Sequence, residues 1–322
     1  MRVPAAAPQH RSTVVAAASD WGYDECSSVH TRRAPPAPAV TRSMTVSPDD
    51  SEVLKKEEWV GQDSACWSVV RGDGPILATA IHDGHDLRDE ARALMALSAA
   101  ERRREEDPYT GEIISAVPTR VIVNRSRFEV DINRAPAEAV YLTPEQAWGL
   151  TVWKQPPDAE FIRHSLQLHG GFYEGLHSLL SGIQREHGRF VLLDVHSYNH
   201  RRNGPAAAAT PPFRAPDINI GTLSIPPRRW DGVLEAMAKS LRGFDYRGRR
   251  LDVGFDLAFQ GRGALTRFVH ENFPHAGCAI AVEVKKFFMD EWTGVPYRAD
   301  IAALQRMVAS LLPVLRASLA RS

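Results

Sequence analysis

Apolar runs that stop abruptly in clusters of polar residues punctuate this chain. Phe190-Val191-Leu192-Leu193-Asp194-Val195 reads as a strand buried on both faces, and it ends in His196-Ser197-Tyr198-Asn199-His200-Arg201-Arg202. Pro75-Ile76-Leu77-Ala78-Thr79-Ala80-Ile81 repeats the pattern and ends in His82-Asp83-Gly84-His85-Asp86. A third candidate strand, Arg120-Val121-Ile122-Val123-Asn124, leads into the polar run Arg125 to Arg134. A further apolar strand, Cys278-Ala279-Ile280-Ala281-Val282-Glu283-Val284, carries a single carboxylate within it.

Helical spacing fills the intervals. Ser98-Ala99-Ala100-Glu101 has the capping-box form and predicts a helix that Pro108 closes. Thr143-Pro144-Glu145-Gln146 places a cap, a first-turn proline and a box partner ahead of a helix over 147–153. Asp158 to Glu186 carries Phe161, Leu166, Phe172, Leu176, Leu180 and Ile183 on one face, a long amphipathic helix with an expected break at Gly170-Gly171. Two more helices are predicted near Arg229 to Leu241 and over Ile301 to Leu319. Strands alternating with helices predict an α/β fold, a three-layer sandwich around a mixed, mostly parallel central sheet. Ligands in such sheets bind outside the carboxyl ends of the strands, where His82, Asp194, His196 and Glu283 would collect.

Before this pattern begins, residues 1–50 are rich in Ala, Pro, Ser and Thr and read as a disordered tail, which leaves 51–322 as one catalytic domain. Lys plus Arg and Asp plus Glu both number 39, so no global basic field exists to hold nucleic acid or an anionic membrane surface. Cys26, Cys66 and Cys278 are widely spaced, which suggests neither a disulfide framework nor a cysteine zinc site. No apolar run approaches the roughly 20 residues of a membrane span. A cytoplasmic protein is the expectation.

The polar strand ends bring in chemistry. A catalytic zinc ion takes three protein ligands from histidine and carboxylate and keeps one position open. His82 and His196 follow two different strands, and Asp86, Glu106 and Asp107 are candidate carboxylate partners. Neither histidine lies in an HExxH helix, which excludes the thermolysin arrangement. An ionised carboxylate inside an apolar strand is costly, so Glu283 is expected to serve a site, as general base beside an activated water. Most other histidines read as structural or solvated, with His85 and His200 the exceptions by position. Arg125, Arg127 and Arg134 crowd one stretch, Arg201 and Arg202 follow the central motif, and Arg262 sits in a glycine loop. Guanidinium forks bind carboxylates bidentately, and Arg134 after Asn133 is the expected anchor for a substrate acid group, with Asn199 to Arg202 facing the substrate. Phe259-Gln260-Gly261-Arg262-Gly263 matches neither a P-loop nor a dinucleotide fingerprint, since no Lys-Ser/Thr follows and no strand immediately precedes it.

Taken in order, Ile81-His82-Asp83-Gly84, Glu106-Asp107-Pro108-Tyr109-Thr110, Val130-Asp131-Ile132-Asn133-Arg134, Asp194-Val195-His196-Ser197-Tyr198, Asp217 to Thr222, Phe259 to Gly263 and Val282-Glu283-Val284 resemble the N-formylglutamate amidohydrolase family over roughly residues 75 to 295. The resemblance implies a fold similar to the zinc carboxypeptidases and cleavage of an N-acyl amide from an amino acid with one divalent metal ion, most plainly zinc. It implies His82, Asp107 and His196 as metal ligands and Glu283 as the catalytic carboxylate. It also implies Asn133 and Arg134 as the pair gripping the substrate carboxylate; Arg127, Asn199, Arg201 and Arg262 are expected as further substrate contacts from their positions alone. Two departures stand out: Arg262 replaces a second glycine, and Gly111 stands where the family usually has an acidic residue. Position 85 is His, so the carboxypeptidase His-x-x-Glu spacing is absent and the second ligand stays open among His85, Glu106 and Asp107. The rival readings are a zinc carboxypeptidase on peptides and a non-catalytic binding or regulatory relative.

Overall fold

The computed structural model describes residues 66–321. The expected N-terminal tail lies outside the described residues. Seven strands among these form one sheet: β1 (Trp67–Val70), β2 (Ile76–Ala80), β3 (Thr119–Val123), β4 (Phe190–Tyr198), β5 (Ile218–Gly221), β6 (Val253–Phe255) and β7 (Gly277–Lys285). Their order is β1-β3-β2-β4-β7-β5-β6. Pairings β2–β3, β2–β4, β4–β7 and β5–β6 are parallel, while β1–β3 and β5–β7 are antiparallel. The sheet is therefore mixed and mostly parallel, as the alternation of strands and helices predicts.

Successive side chains of a strand point to opposite faces, and here both faces are buried. Val191, Leu193 and Val195 join Ile280, Val282 and Val284 in a core closed by helices α5 (Asp231–Gly243) and α7 (Arg298–Leu319). Phe190 and Leu192 join Leu77, Ile81 and Ala279 in a second core under α4 (Ala159–His187) and α6 (Ala264–Asn272). That makes three layers. By the same period of two, Asp194, His196 and Glu283 share the α4 face, and His196 and Glu283 are direct partners in the β4–β7 register.

Helix α4 is unbroken. Its Asp158 cap accepts the Phe161 amide at 2.8 Å, and Phe172, Leu176, Leu180 and Ile183 seat it on the sheet through the expected break at Gly170-Gly171. Packing of this apolar face outweighs the roughly 1 kcal/mol that each mid-helix glycine costs. Phe172 is fully buried, with Trp67 set edge-on at 5.8 Å. Phe172→Ala is expected to cost about 3–5 kcal/mol, read as a lower urea midpoint at unchanged slope.

The predicted helix over 147–153 does not form. Pro144–Ala147 makes one 3₁₀ turn, closed by Trp148 at φ 53° and Gly149 at φ 86°. Trp148 instead turns onto Phe128 and Tyr141. Helix α2 (Ala99–Glu105) has the predicted capping box, Ser98 with Glu101, and ends where Glu106 turns extended.

The chain leaves β2 toward β3 on one side, and leaves β4 toward β7 and β5 on the other. The carboxyl ends of β2 and β4 thus flank a topological switch point, the ligand position of open α/β sheets.

Candidate metal centre

Three ligand-type atoms converge at that switch point. His196 Nδ1 lies 3.1 Å from His82 Nδ1 and 3.1 Å from Asp107 Oδ2, and His82 Nδ1 lies 3.4 Å from the same oxygen. All three residues are buried, and they are the one His/Cys/Asp/Glu group of metal-holding geometry among the described residues. Each comes from a different element. His82 stands two residues past β2, and its carbonyl accepts the Asp107 amide at 2.8 Å, which draws the exit of α2 against the end of the sheet. The turn after His82 passes so close to β3 that a Cβ at Gly84 would sit 2.1 Å from the Asn124 carbonyl, so only glycine fits there.

Outer partners set the histidine tautomers. His82 Nε2 is 2.8 Å from Asp131 Oδ1, and His196 Nε2 is 3.0 Å from Asp194 Oδ2. An ionised carboxylate only accepts, so both Nε2 atoms donate and each neutral ring presents a lone pair at Nδ1. Asp194 in turn accepts from Thr79 Oγ1 at 2.7 Å, and Asp131 accepts from the Tyr141 hydroxyl and from Arg127 at 2.8 Å. Two imidazole lone pairs and a carboxylate oxygen facing one another repel unless a cation sits among them. A tetrahedral ion with bonds of about 2.0–2.1 Å separates its ligand atoms by about 3.3 Å, which the three distances here bracket. The donor set fits a divalent metal ion.

Electrostatics agree with a cation-seeking site. Burial opposes ionisation of Asp107, yet in the metal-free site His196 and His82, which donate to it when their rings are protonated, hold its carboxyl well below the usual range. Burial likewise disfavours the His196 cation, but Asp194 and Asp107 overcome it and raise its pKa well above the ordinary value. Asp131 is also held low: Arg127 and His82 more than offset its burial. Glu283, 9% exposed, behaves oppositely. Burial, reinforced by Asp107 and Asp194 and opposed by His196 and Arg127, pushes it up to about 8. Glu283 thus stands on the strand beside His196 with burial raising its pKa toward neutrality.

The alternatives left open for the carboxylate separate in space. Glu106 is buried but turns away, its carboxylate bonded to Ser126 and to Arg102. Burial raises its pKa to about 7. His85 and Asp86 are exposed, and His85 lies 3.6 Å from Glu106 rather than in the triad. Gly111 donates its amide to Asp83 at 3.1 Å, and a Cβ there would stand 2.8 Å from Asp83 Oδ2, so any larger residue at this position requires the Asp83 side chain to move.

The predicted substrate contacts divide. Arg127 is committed to Asp131, and Arg134 lies 3.8 Å from Asp131 with one guanidinium nitrogen donating to the Gln146 carbonyl. The Asn133 side-chain nitrogen reaches within 3.5 Å of His196, while its oxygen accepts the Leu265 amide. Asn199 is buried, donates to the Arg104 carbonyl at 3.0 Å and keeps its side-chain oxygen without a partner. The Arg201 amide is anchored by Glu291, and Arg202 pairs with Glu105. Arg262 does not join the triad: it is exposed and lines a separate cavity of about 470 Å³ with Leu223, Ser224, Arg267, His270 and Glu271.

Asp131, Tyr141 and Thr79 have no role in the sequence reading. Ser197 donates to Asp107 Oδ1 at 3.2 Å. The available signal was parity: Asp194 stands two residues before His196, so both project from one face of β4.

A family model described as N-formylglutamate amidohydrolase matches residues 74–289. Among solved structures, an N-formylglutamate amidohydrolase from Ralstonia eutropha is similar at TM-score 0.61 and 16% identity, over 80% of this chain and 98% of that one. A gene product from Agrobacterium tumefaciens is similar at TM-score 0.55 and 15% identity, over 78% of this chain and 95% of that one. A metallo-carboxypeptidase from Burkholderia cenocepacia is matched at TM-score 0.31 and 13% identity, over 75% of this chain and 56% of that one, a likeness too slight to bear on the fold. No curated protein matches the sequence. No helix among the described residues is long and apolar enough to cross a membrane.

Proposed function

Because the chain belongs to the N-formylglutamate amidohydrolase family, we propose that it is a metal-dependent hydrolase cleaving the N-formyl, or a related N-acyl, amide bond of an amino acid such as glutamate. The observation that carries this reading is the convergence of His82 Nδ1, His196 Nδ1 and Asp107 Oδ2, with both Nε2 atoms committed to carboxylates and Glu283 on the neighbouring strand. In this reading His82, Asp107 and His196 hold one divalent ion, for which zinc suits the two-histidine, one-carboxylate set. When bound, the ion supplies Lewis acidity toward the amide carbonyl and acidifies water.

The protein's own groups do the remainder. Glu283 takes a proton from the attacking water and returns it to the departing amine nitrogen as the C–N bond breaks, releasing formate and the free amino acid. Asp131 and Asp194 hold the imidazoles in the tautomer that presents Nδ1. In this reading Arg134, partly exposed beside Asn133, meets the substrate carboxylate, and exposed Arg201 is a further contact for it. Arg127 acts at one remove, by holding Asp131.

Metal analysis of purified protein, together with formate release from N-formyl-L-glutamate, tests the proposal. About one equivalent of zinc and turnover of N-formyl amino acids are expected. Hydrolysis of C-terminal peptide bonds without any N-formyl activity would move the protein to the carboxypeptidase reading, and metal binding without turnover of either class to a binding role.

The raised pKa of His196 adds a pH signature. In the metal-free site its extra proton occupies the position of the cation, so metal and proton compete. Zinc affinity is expected to weaken as pH falls, because protons compete with the metal for His196, as a chelator competition series from pH 8 to pH 6 would record. A flat profile would argue against ligation by His196.

A further inference from the structure

We propose that Lys286 is a positioning residue that holds Asp107 in the metal centre, an inference that rests on the metal-dependent reading above. Lys286 lies one residue past β7 and three past Glu283, and its side chain is among the most deeply buried of the large ones, 2% exposed. Its Nζ donates to the carbonyls of Arg104 at 2.6 Å and Glu106 at 2.7 Å. The Glu106 carbonyl belongs to the peptide unit that enters Asp107. The amide of that same unit donates to the His82 carbonyl at 2.8 Å. One peptide plane is therefore clamped from both sides, by the end of β7 through Lys286 and by the end of β2 through His82. The next carbonyl, that of Asp107, accepts from Thr110 Oγ1 at 2.7 Å.

The need for such a clamp follows from helix geometry. Helix α2 ends at Glu105, so its last carbonyls lack intrahelical partners and carry the negative end of the helix dipole. Lys286, Asn199 at the Arg104 carbonyl and Arg127 at the Glu105 carbonyl supply donors there. An ammonium taken from water into this interior is costly without compensation. Burial lowers its pKa while Asp107, Glu105 and Glu291 draw it back up, which places its charge in the field of the ligand carboxylate. The backbone amide of Lys286 also donates to the Tyr198 carbonyl at 2.9 Å, which ties the clamp to the strand that carries His196. One short segment, 283–286, thus carries the proposed base and steadies the carboxylate ligand.

The experiment compares zinc binding by metal-free wild-type protein, Lys286→Met and His196→Ala, using a competing chromogenic chelator, beside thermal melting of the metal-free forms. Wild type binding one zinc, His196→Ala binding none, and a Kd for Lys286→Met weakened by roughly 10–100-fold with its fold retained are expected. Lys286→Gln, which keeps an N–H donor group without the charge, is the second variant should the Met form not fold, and it is expected to fall between. A zinc Kd equal to wild type in either folded variant, including one with a lowered metal-free melting temperature, assigns Lys286 to the fold alone and overturns the proposal. Absence of zinc from wild type would instead overturn the metal-dependent reading, a distinct outcome.

Discussion

Glu283→Gln is expected to lower turnover of N-formyl amino acids by roughly 10²–10⁴-fold while zinc content stays that of wild type. Glutamine has nearly the same shape and fills the same place opposite His196 in the β4–β7 register, but it cannot accept a proton. The loss is expected in kcat rather than KM, since Glu283 acts on the reacting atoms and the substrate acid group is met elsewhere. A variant retaining more than a tenth of wild-type kcat would remove Glu283 from the chemistry. A stability measurement runs in parallel. Burial raises the folded pKa from the ordinary 4.5 to about 8, so the metal-free folded state binds a proton that the unfolded chain has released. Its contribution is fully present below about pH 4.5 and is lost as pH rises through about 8. Metal-free Glu283→Gln, neutral throughout, is expected to lack that decline.

His196→Ala is expected to abolish stoichiometric zinc and activity together. Its ring bridges two buried carboxylates, Asp107 at 3.1 Å and Asp194 at 3.0 Å, so its removal also leaves both without this partner. Stripping one member from a buried charged cluster costs about 3–5 kcal/mol, so the metal-free melting temperature falls as well. His196→Gln, which retains a hydrogen-bonding group and most of the volume, separates the two effects: a fold near wild-type stability with zinc still missing. Zinc retained at one equivalent by either variant would exclude His196 from the ligand set.

Much of the layer arrangement was legible in the residues. The apolar runs at 76–81, 190–195 and 278–284 became strands because β-branched residues buried on both faces leave no polar stripe for a helix. Ser98 and Glu101 started a helix where their spacing said one would start. The helix expected over 147–153 failed because Trp148 finds more apolar contact by leaving the helical path, at φ 53°, than by continuing it. Arg262 was drawn toward the site by its glycine loop, but the loop turns its side chain to a separate surface cavity.

The sequence alone determined which residues stand at or near the carboxyl ends of strands, because a period of two and an abrupt change from apolar to polar are local properties, although β4 runs on through His196 to Tyr198. His82, His196 and Glu283 follow from them. Tertiary structure decided how these groups meet. Only the parallel pairing of β4 with β7 sets Glu283 beside His196, and only the path of α2 against the sheet end selects Asp107 over Glu106, two adjacent carboxylates that local pattern cannot separate. Asp194, two before His196 on one strand, follows from parity, but Asp131, 49 residues beyond His82, meets its imidazole only because the fold carries the backbone there, since a hydrogen bond is fixed by distance in space and not along the chain.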